Sequence, residues 1–338
     1  MKAWTLLRHG EPASAFALRE HPDPQPGPSQ VLIQCEGFGL NYADAMAVRG
    51  LYREAPPLPS IIGYEVVGRV TQVGATVPDG LLGRRVVAMT RFGGYAERAV
   101  TDHRACAVIP EGLALGEAAA LATQGSTAWY AARVLCPLQA GERVLVHSAA
   151  GGVGHLLVQL AVSAGCEVHA VVGSAAKADF VRSLGAAKAV DRSTGDYADQ
   201  VNRNLGRHRL DASFNAVAGT TYPRDMRLLG SGGRLVLFGG AERGAMGALG
   251  TARFIWRMGL LMPIFLMMKS KSVLGVNMLK LGDHKPDLVA RCLQEAVRAH
   301  RDGLLRPHVH AEFEAGELPR AHALLASGAT SGKVALRW

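Results

Sequence analysis

The 338-residue sequence is short of charge, of aromatic residues and of cysteine. Charged residues make up 19% and aromatics 6%, against 49% hydrophobic residues, so intrinsic disorder is excluded and there is ample apolar surface to bury. The five cysteines (Cys35, Cys106, Cys136, Cys166, Cys292) are odd in number and never form a C-x-x-C pair. A disulfide framework and a zinc knuckle are thereby excluded, and a reducing, cytoplasmic setting is expected. None of the twelve histidines falls in an H-x-x-H or H-E-x-x-H pattern. The net charge is +9, yet no basic run reaches five residues, which argues against nucleic acid and suits a polyanionic small ligand. Met1 to Leu7 reads as a strand rather than a signal peptide. No apolar run reaches the roughly 20 residues of a membrane span. The longest, Met258 to Met268, follows Arg257, and Pro263 is expected to break a helix there. It reads as a soluble buried segment, a dimer contact or a pocket wall, with peripheral membrane contact as the alternative.

What the chain has in excess is glycine, 40 residues without a collagen period, as in folds where backbone must approach a ligand closely. Residues 1–120 read as short strands between proline-rich turns: Val31 to Cys35, Glu65 to Val73, Arg85 to Met89 and Tyr95 to Val100. From Gly116 the texture turns helical. Apolar runs then alternate with helices: Val144 to His147, Val168 to Val172, Ala187 to Asp191, Ala212 to Val217, Arg234 to Phe238 and Val273 to Val276. This alternation predicts an α/β fold with a doubly wound parallel sheet over 121–284. A helix from Pro286 to Asp302 and a strand from Val334 to Trp338 follow, and 285–338 is expected to rejoin the first domain.

The run Ser148, Ala149, Ala150, Gly151, Gly152, Val153, Gly154, set between a strand and a helix, is an A-x-G-x-x-G version of the dinucleotide fingerprint, in which glycines let pyrophosphate reach the helix N-terminus. An NAD enzyme would carry an acid near the end of the next strand to bind the ribose 2′-hydroxyl. Here the strand ends in Gly173 and Ser174, followed by Lys177, and the third strand ends in Asp191 and Arg192. Two cations and a hydroxyl suit a 2′-phosphate, so NADPH is the expected cofactor, with a solvated surface Lys and Arg as the plain alternative.

The motifs GLNYAD (Gly39 to Asp44), RGLY (Arg49 to Tyr52), the stretch from Pro56 to Val70, AAGGVG and SGKVAL (Ser331 to Leu336) are spread over the whole chain. On them the sequence resembles the medium-chain dehydrogenase/reductase superfamily, in particular its zinc-independent quinone oxidoreductases and the branch containing the synaptic vesicle membrane protein VAT-1. The resemblance implies a GroES-like β domain from both chain ends, an inserted Rossmann domain, a cleft between them and a homodimer. Zinc enzymes of the superfamily hold their metal with Cys, His and Cys; the matching positions are Asn41, Tyr64 and Thr123, which are no zinc ligand set. Without a Lewis acid, the expected reaction is hydride transfer from NADPH to a conjugated acceptor, a quinone or an α,β-unsaturated carbonyl. The resemblance puts Asn41 and Tyr52 at the reacting centre. It adds cofactor contacts at Asn41, Thr127, Ala150, Gly151, Gly152, Val153, Phe238, Gly239, Asn277 and Lys333, beside Gly173, Ser174, Lys177 and Arg192. A second tyrosine that many quinone oxidoreductases carry is Met46 here, which makes the pocket more apolar. Asp44 reads as a structural acceptor in its turn. The alternative function is a catalytically weak NADPH-binding protein associated with a membrane or a partner.

Overall fold

A computed structural model describes residues 1–243 and 247–338, and the chain divides into two compact units, Met1–Ser126 with Met278–Trp338, and Thr127–Asn277. The first junction falls within the helical run that opens at Leu115, which is interrupted by wider π-type turns at Leu121–Gly125 and Tyr130–Leu135.

The first unit contains β1 (Lys2–Leu6), β2 (Phe16–Glu20), β3 (Gln30–Leu40), β4 (Glu65–Val73), β5 (Arg85–Met89), β6 (Arg98–Asp102) and β7 (Cys106–Val108). Inward-facing β-branched and aromatic residues of these strands, among them Ile33, Phe38, Val66 and Val86, bury a common apolar face with Leu6 and Leu336. The second unit contains β8 (Arg143–Val146), β9 (Glu167–Val172), β10 (Lys188–Asp191), β11 (Leu210–Asn215), β12 (Leu229–Leu237) and β13 (Ser272–Gly275). The chain then returns to the first unit with the helix Pro286–Arg301, β14 (Val309–Glu314) and β15 (Lys333–Arg337).

In the first unit the sheet runs β14-β15-β3-β4-β5-β7, with β6 also on β3. The antiparallel register pairs Leu40 with Val334, which brings the end of β3 beside Lys333. In the second unit all six strands are parallel in the order β10-β9-β8-β11-β12-β13. This is a doubly wound sheet whose order reverses between β8 and β11, the place where such sheets bind ligands beyond their strand ends.

Several local expectations are corrected. The strand predicted from Tyr95 starts at Arg98, because Tyr95 is a fully buried core residue whose backbone follows the turn. Pro263 breaks no helix: it is the first residue of the helix Pro263–Lys269, where its missing N–H costs nothing. The Met258 to Met268 segment is not buried. The stretch Gly250–Lys269 has the length and mean hydropathy of a spanning segment, and its apolar side chains stand largely outside the core; Trp256 is 82% exposed and Leu260 88%. Arg257 precedes the segment and Lys269 follows it, and the residues between Met258 and Pro263 separate the helices Gly247–Met258 and Pro263–Lys269; of the segment, Met258 packs against the core of the second unit.

Candidate functional site

In the second unit, β8 runs through His147 into a turn that starts at Ser148, whose φ of 50° is left-handed. The Ser148 carbonyl accepts from the Gly151 amide at 2.8 Å and the Ala149 amide donates to Val171 at 3.0 Å, so the turn is pinned to β9. The helix Gly154–Ser163 begins directly behind it. A Cβ on Gly154 would overlap the Ser148 carbonyl, which is the physical reason for the last glycine of the motif. Ala149 and Ala150 are buried, so the missing first glycine is absorbed by packing, whereas Gly151, Gly152 and Val153 remain partly open. Partly open backbone at a helix N-terminus, with no side chain filling the turn, fits a dinucleotide pyrophosphate.

The structure also brings the predicted 2′-phosphate residues together. Ser174 caps the helix Ala175–Ser183, its hydroxyl accepting from the Lys177 amide at 3.4 Å. The Arg192 guanidinium lies 3.4 Å from where a Gly173 side chain would start. Burial, and then the like charge of Arg192, pushes the Lys177 ammonium below its ordinary range. The Asp191 carboxylate accepts from the Ser193 amide and hydroxyl at 2.9 and 2.7 Å and lies close enough to Arg192 for that charge to help hold it below the ordinary carboxylate range. Two cations facing one another beside an open strand end form a setting that an anion would relieve. Phe238 and Gly239 lie against the end of β11, where the Phe238 amide donates to Asn215 at 3.2 Å. Thr127 is buried in the helix Ser126–Trp129, and Asn277 is exposed just after β13.

In the first unit the predicted residues gather around an acid that the sequence reading passed over. Glu65, the first residue of β4, is fully buried. It is ion-paired with the equally buried Lys333, accepts from Asn41 Nδ2 at 2.9 Å, and accepts from the Thr123 amide at 2.9 Å. Lys333 Nζ also donates to the Leu40 carbonyl at 3.1 Å and to Asn41 Oδ1 at 3.2 Å. Gly39 makes room for this pair, since a Cβ there would overlap both the Glu65 carboxylate and the Lys333 chain. Asn41 and Thr123, two of the three positions that the resemblance matches to zinc ligands, are thus joined through one carboxylate, and Tyr64 is its chain neighbour. A single acid opening a strand whose next three residues are Val66, Val67 and Gly68 was the available signal for Glu65.

Asn41 also precedes the short helix Tyr42–Val48, and its amide donates to Asp44 at 2.8 Å. Burial raises the Asp44 carboxyl to about 8, so it is largely protonated at neutral pH. Tyr52 packs edge-on against the buried Tyr64, ring centres 6.0 Å apart, and the two phenols act on one another. Burial raises the phenol pKa of both tyrosines, which keeps them protonated as donors. Met46 is buried and Tyr42 is exposed. Nearby, the Tyr95 hydroxyl lies 3.1 Å from Nε2 of His322, an imidazole that burial lowers to about 3.

Residues 27–132 match the alcohol dehydrogenase GroES-like domain, and residues 152–294 match the zinc-binding dehydrogenase domain. The chain is 30% identical to the human synaptic vesicle membrane protein VAT-1 homolog over 319 residues, 93% of this chain and 80% of that protein. It is 30% identical to quinone oxidoreductase-like protein 2 of Rattus norvegicus over 315 residues, 93% and 86% of the two chains. The solved structure of Escherichia coli quinone oxidoreductase complexed with NADPH superposes with a TM-score of 0.87 at 25% identity over 100% of both chains. A mycocerosic acid synthase-like polyketide synthase of Mycobacterium tuberculosis is 30% identical over 246 residues, of which this chain spans 12% of the length.

Proposed function

The chain belongs to the quinone oxidoreductase-like medium-chain dehydrogenases/reductases, with NADPH as cofactor, and from that premise we propose that it reduces a quinone or an α,β-unsaturated carbonyl without a metal. The observation that carries this reading is the Glu65 centre. Asn41, Tyr64 and Thr123 supply no thiolate or imidazole, and the Glu65 carboxylate that joins Asn41 to the Thr123 amide is already committed to Lys333 as well. Bound NADPH supplies the hydride. An acceptor that spreads the arriving charge over an enolate or hydroquinone needs only hydrogen-bond donors, whereas a simple alkoxide would need a Lewis acid. Tyr52, with its phenol pKa raised by burial, serves as such a donor, and water delivers the proton. Asn41, held rigid between Glu65 and Lys333, positions the reacting groups. The remaining residue roles named from the sequence, from Thr127 to Asn277 in the second unit, are part of the same proposal.

The test is NADPH consumption with a panel of 9,10-phenanthrenequinone, 2-alkenals and enones, set beside ethanol and benzyl alcohol with NADP. Turnover of the conjugated acceptors and negligible alcohol oxidation are expected. Tyr52→Phe is expected to lower quinone turnover about 10- to 100-fold. Robust alcohol oxidation, or one zinc per chain in elemental analysis, would sink the metal-free mechanism. A second reading is favoured by the exposed Gly250–Lys269 stretch, which suits a cytoplasmic homodimer contact or peripheral membrane docking. Sedimentation equilibrium and vesicle co-sedimentation separate these two.

A further inference from the structure

Ser148 (φ 50°) and Ala218 (φ 56°) are two of the three non-glycine residues with left-handed backbone among the described residues. They stand in the turns that leave β8 and β11, the two strands flanking the point where the sheet order reverses. L-residues adopt this conformation at a cost, and it persists where surrounding structure enforces it. The third, Ser270, ends the exposed helix Pro263–Lys269.

The two turns share one support. Asp225, fully buried in the helix Thr221–Leu228, receives His147 Nε2 at 3.0 and 3.1 Å on its two oxygens. The same carboxylate accepts from the Tyr197 hydroxyl at 2.9 Å, the Ser213 hydroxyl at 2.7 Å and Asn215 Nδ2 at 2.7 Å. Because a carboxylate only accepts, His147 carries its proton on Nε2. His147 is the residue before Ser148. Asn215 ends β11, and its Oδ1 accepts from the amides of Val217 and Ala218, both at 2.8 Å, which folds the second turn. Thr221 closes the arrangement by donating to the Ala218 carbonyl at 2.7 Å.

We propose that Asp225 is a positioning residue for the dinucleotide: one carboxylate, acting through His147 and Asn215, holds both left-handed turns in the shape that presents their backbone to the cofactor. The inference rests on the second unit being the NADPH-binding unit. It separates from a merely structural role because glycine adopts the left-handed region freely. If Asp225 works by enforcing that backbone, a chain with glycine at both turns no longer needs it.

The experiment compares Asp225→Asn in the parent and in the Ser148→Gly, Ala218→Gly background, measuring NADPH affinity by fluorescence titration, thermal midpoint, and amide exchange at Val217 and Ala218. In the parent, Asp225→Asn should weaken NADPH binding at least about tenfold and speed exchange at both amides in the free protein. In the glycine background the same change should weaken binding by less than about threefold, while the loss of thermal midpoint is the same in both, since the buried donors are left unsatisfied in each. Equal loss of affinity in the two backgrounds, or no loss in either, overturns the proposal. If Asp225→Asn does not fold, Asn215→Ser paired with Ala218→Gly carries the same comparison on one turn. A parent that binds no NADPH overturns the cofactor reading and this inference with it, and is told apart by the parent titration alone.

Discussion

Each unit buries a carboxylate completely, and the two are satisfied in different ways. Glu65 in the first unit is balanced by a charge, the ammonium of Lys333, with Asn41 and the Thr123 amide completing the set. Asp225 in the second unit is balanced by number: hydroxyls of Tyr197 and Ser213, the Asn215 amide and the His147 ring, with no lysine or arginine among its bonding partners. The difference matches what each centre touches. The ion pair is anchored in strands β4 and β15, so it fixes a rigid point beside Asn41. The Asp225 centre ties strand ends to turns, where many modest bonds specify backbone shape better than one strong attraction. Deleting a partner should therefore hurt fold in the first unit and turn geometry in the second.

The largest effect should come from breaking the charge balance. Lys333→Met leaves Glu65 buried without its counter-ion, and losing one partner of such a pair is worth about 3–5 kcal/mol. Urea unfolding should show that loss, with amide exchange rising in β3, β4 and β15 and the second unit keeping its protection. A loss below about 1 kcal/mol would mean that the pair behaves as a solvated one and that the contrast between the two centres is wrong. Lys333→Met, Glu65→Leu should recover only part, because Asn41 Nδ2 and the Thr123 amide then lack an acceptor.

The two centres were not equally legible in the sequence. Strand and helix alternation gave the doubly wound sheet, because both follow hydrophobic period and glycine turns, and Glu65–Val73 and Arg85–Met89 appear with the expected limits. The phosphate turn was legible because its glycines answer a steric need within a few residues, as at Gly154. Asn41 and Lys333 were named from motifs, yet their partnership was not, since 292 positions separate them and only the β3–β15 register joins them. Asp225 left no mark at all: an acid in a short helix among Arg224 and Arg227 reads as a surface residue, and only the packing of that helix on β11 buries it. For Met258 to Met268, exposure overturns only the buried option among those the sequence left open and leaves a dimer or membrane contact. Apolar composition favours burial, whereas Trp256, Leu260 and Met267 stand mostly exposed in the structure and, of the segment, Met258 packs on the core.

A smaller effect separates the units by pH. Burial raises Asp44 from its ordinary value to about 8, so the folded first unit holds a proton that the unfolded chain releases above about 4. Stability supplied by that proton is full at acid pH and declines as pH rises toward 8. Burial lowers His322 to about 3, so its unfolded form gains a proton below about 6.5 and stability falls with falling pH from there. The two slopes oppose one another between about pH 4 and 6.5, leaving Asp44 alone above that range. The difference in unfolding free energy between Asp44→Asn and the parent should therefore move in favour of the variant by about 1.4 kcal/mol per pH unit near pH 6.5, with the slope falling to about half that at pH 8. A difference that stays flat over that window would mean Asp44 is solvated and ionised.

The smallest effect tests whether the second unit, whose core acid lacks a cationic partner, keeps its cations for the ligand. Lys177 and Arg192 stand beside Gly173 and Ser174, and the hydrogen bonds of the Asp191 carboxylate go to Ser193. A 2′-phosphate placed there gains charge-assisted hydrogen bonds that a 2′-hydroxyl does not, and the strand end offers no carboxylate to reward the hydroxyl instead. NADPH should bind at least about tenfold, or 1.4 kcal/mol, more tightly than NADH. Lys177→Ala, Arg192→Ala should erase most of that difference by weakening NADPH while leaving NADH nearly unchanged. The margin should shrink with added salt, because Lys177 is only partly buried and Arg192 is exposed. Calorimetry with both cofactors at two salt concentrations decides it: equal affinities in the parent, or a double variant that weakens NADH as much as NADPH, would turn these residues back into an ordinary solvated rim and confine the comparison between the units to their buried acids.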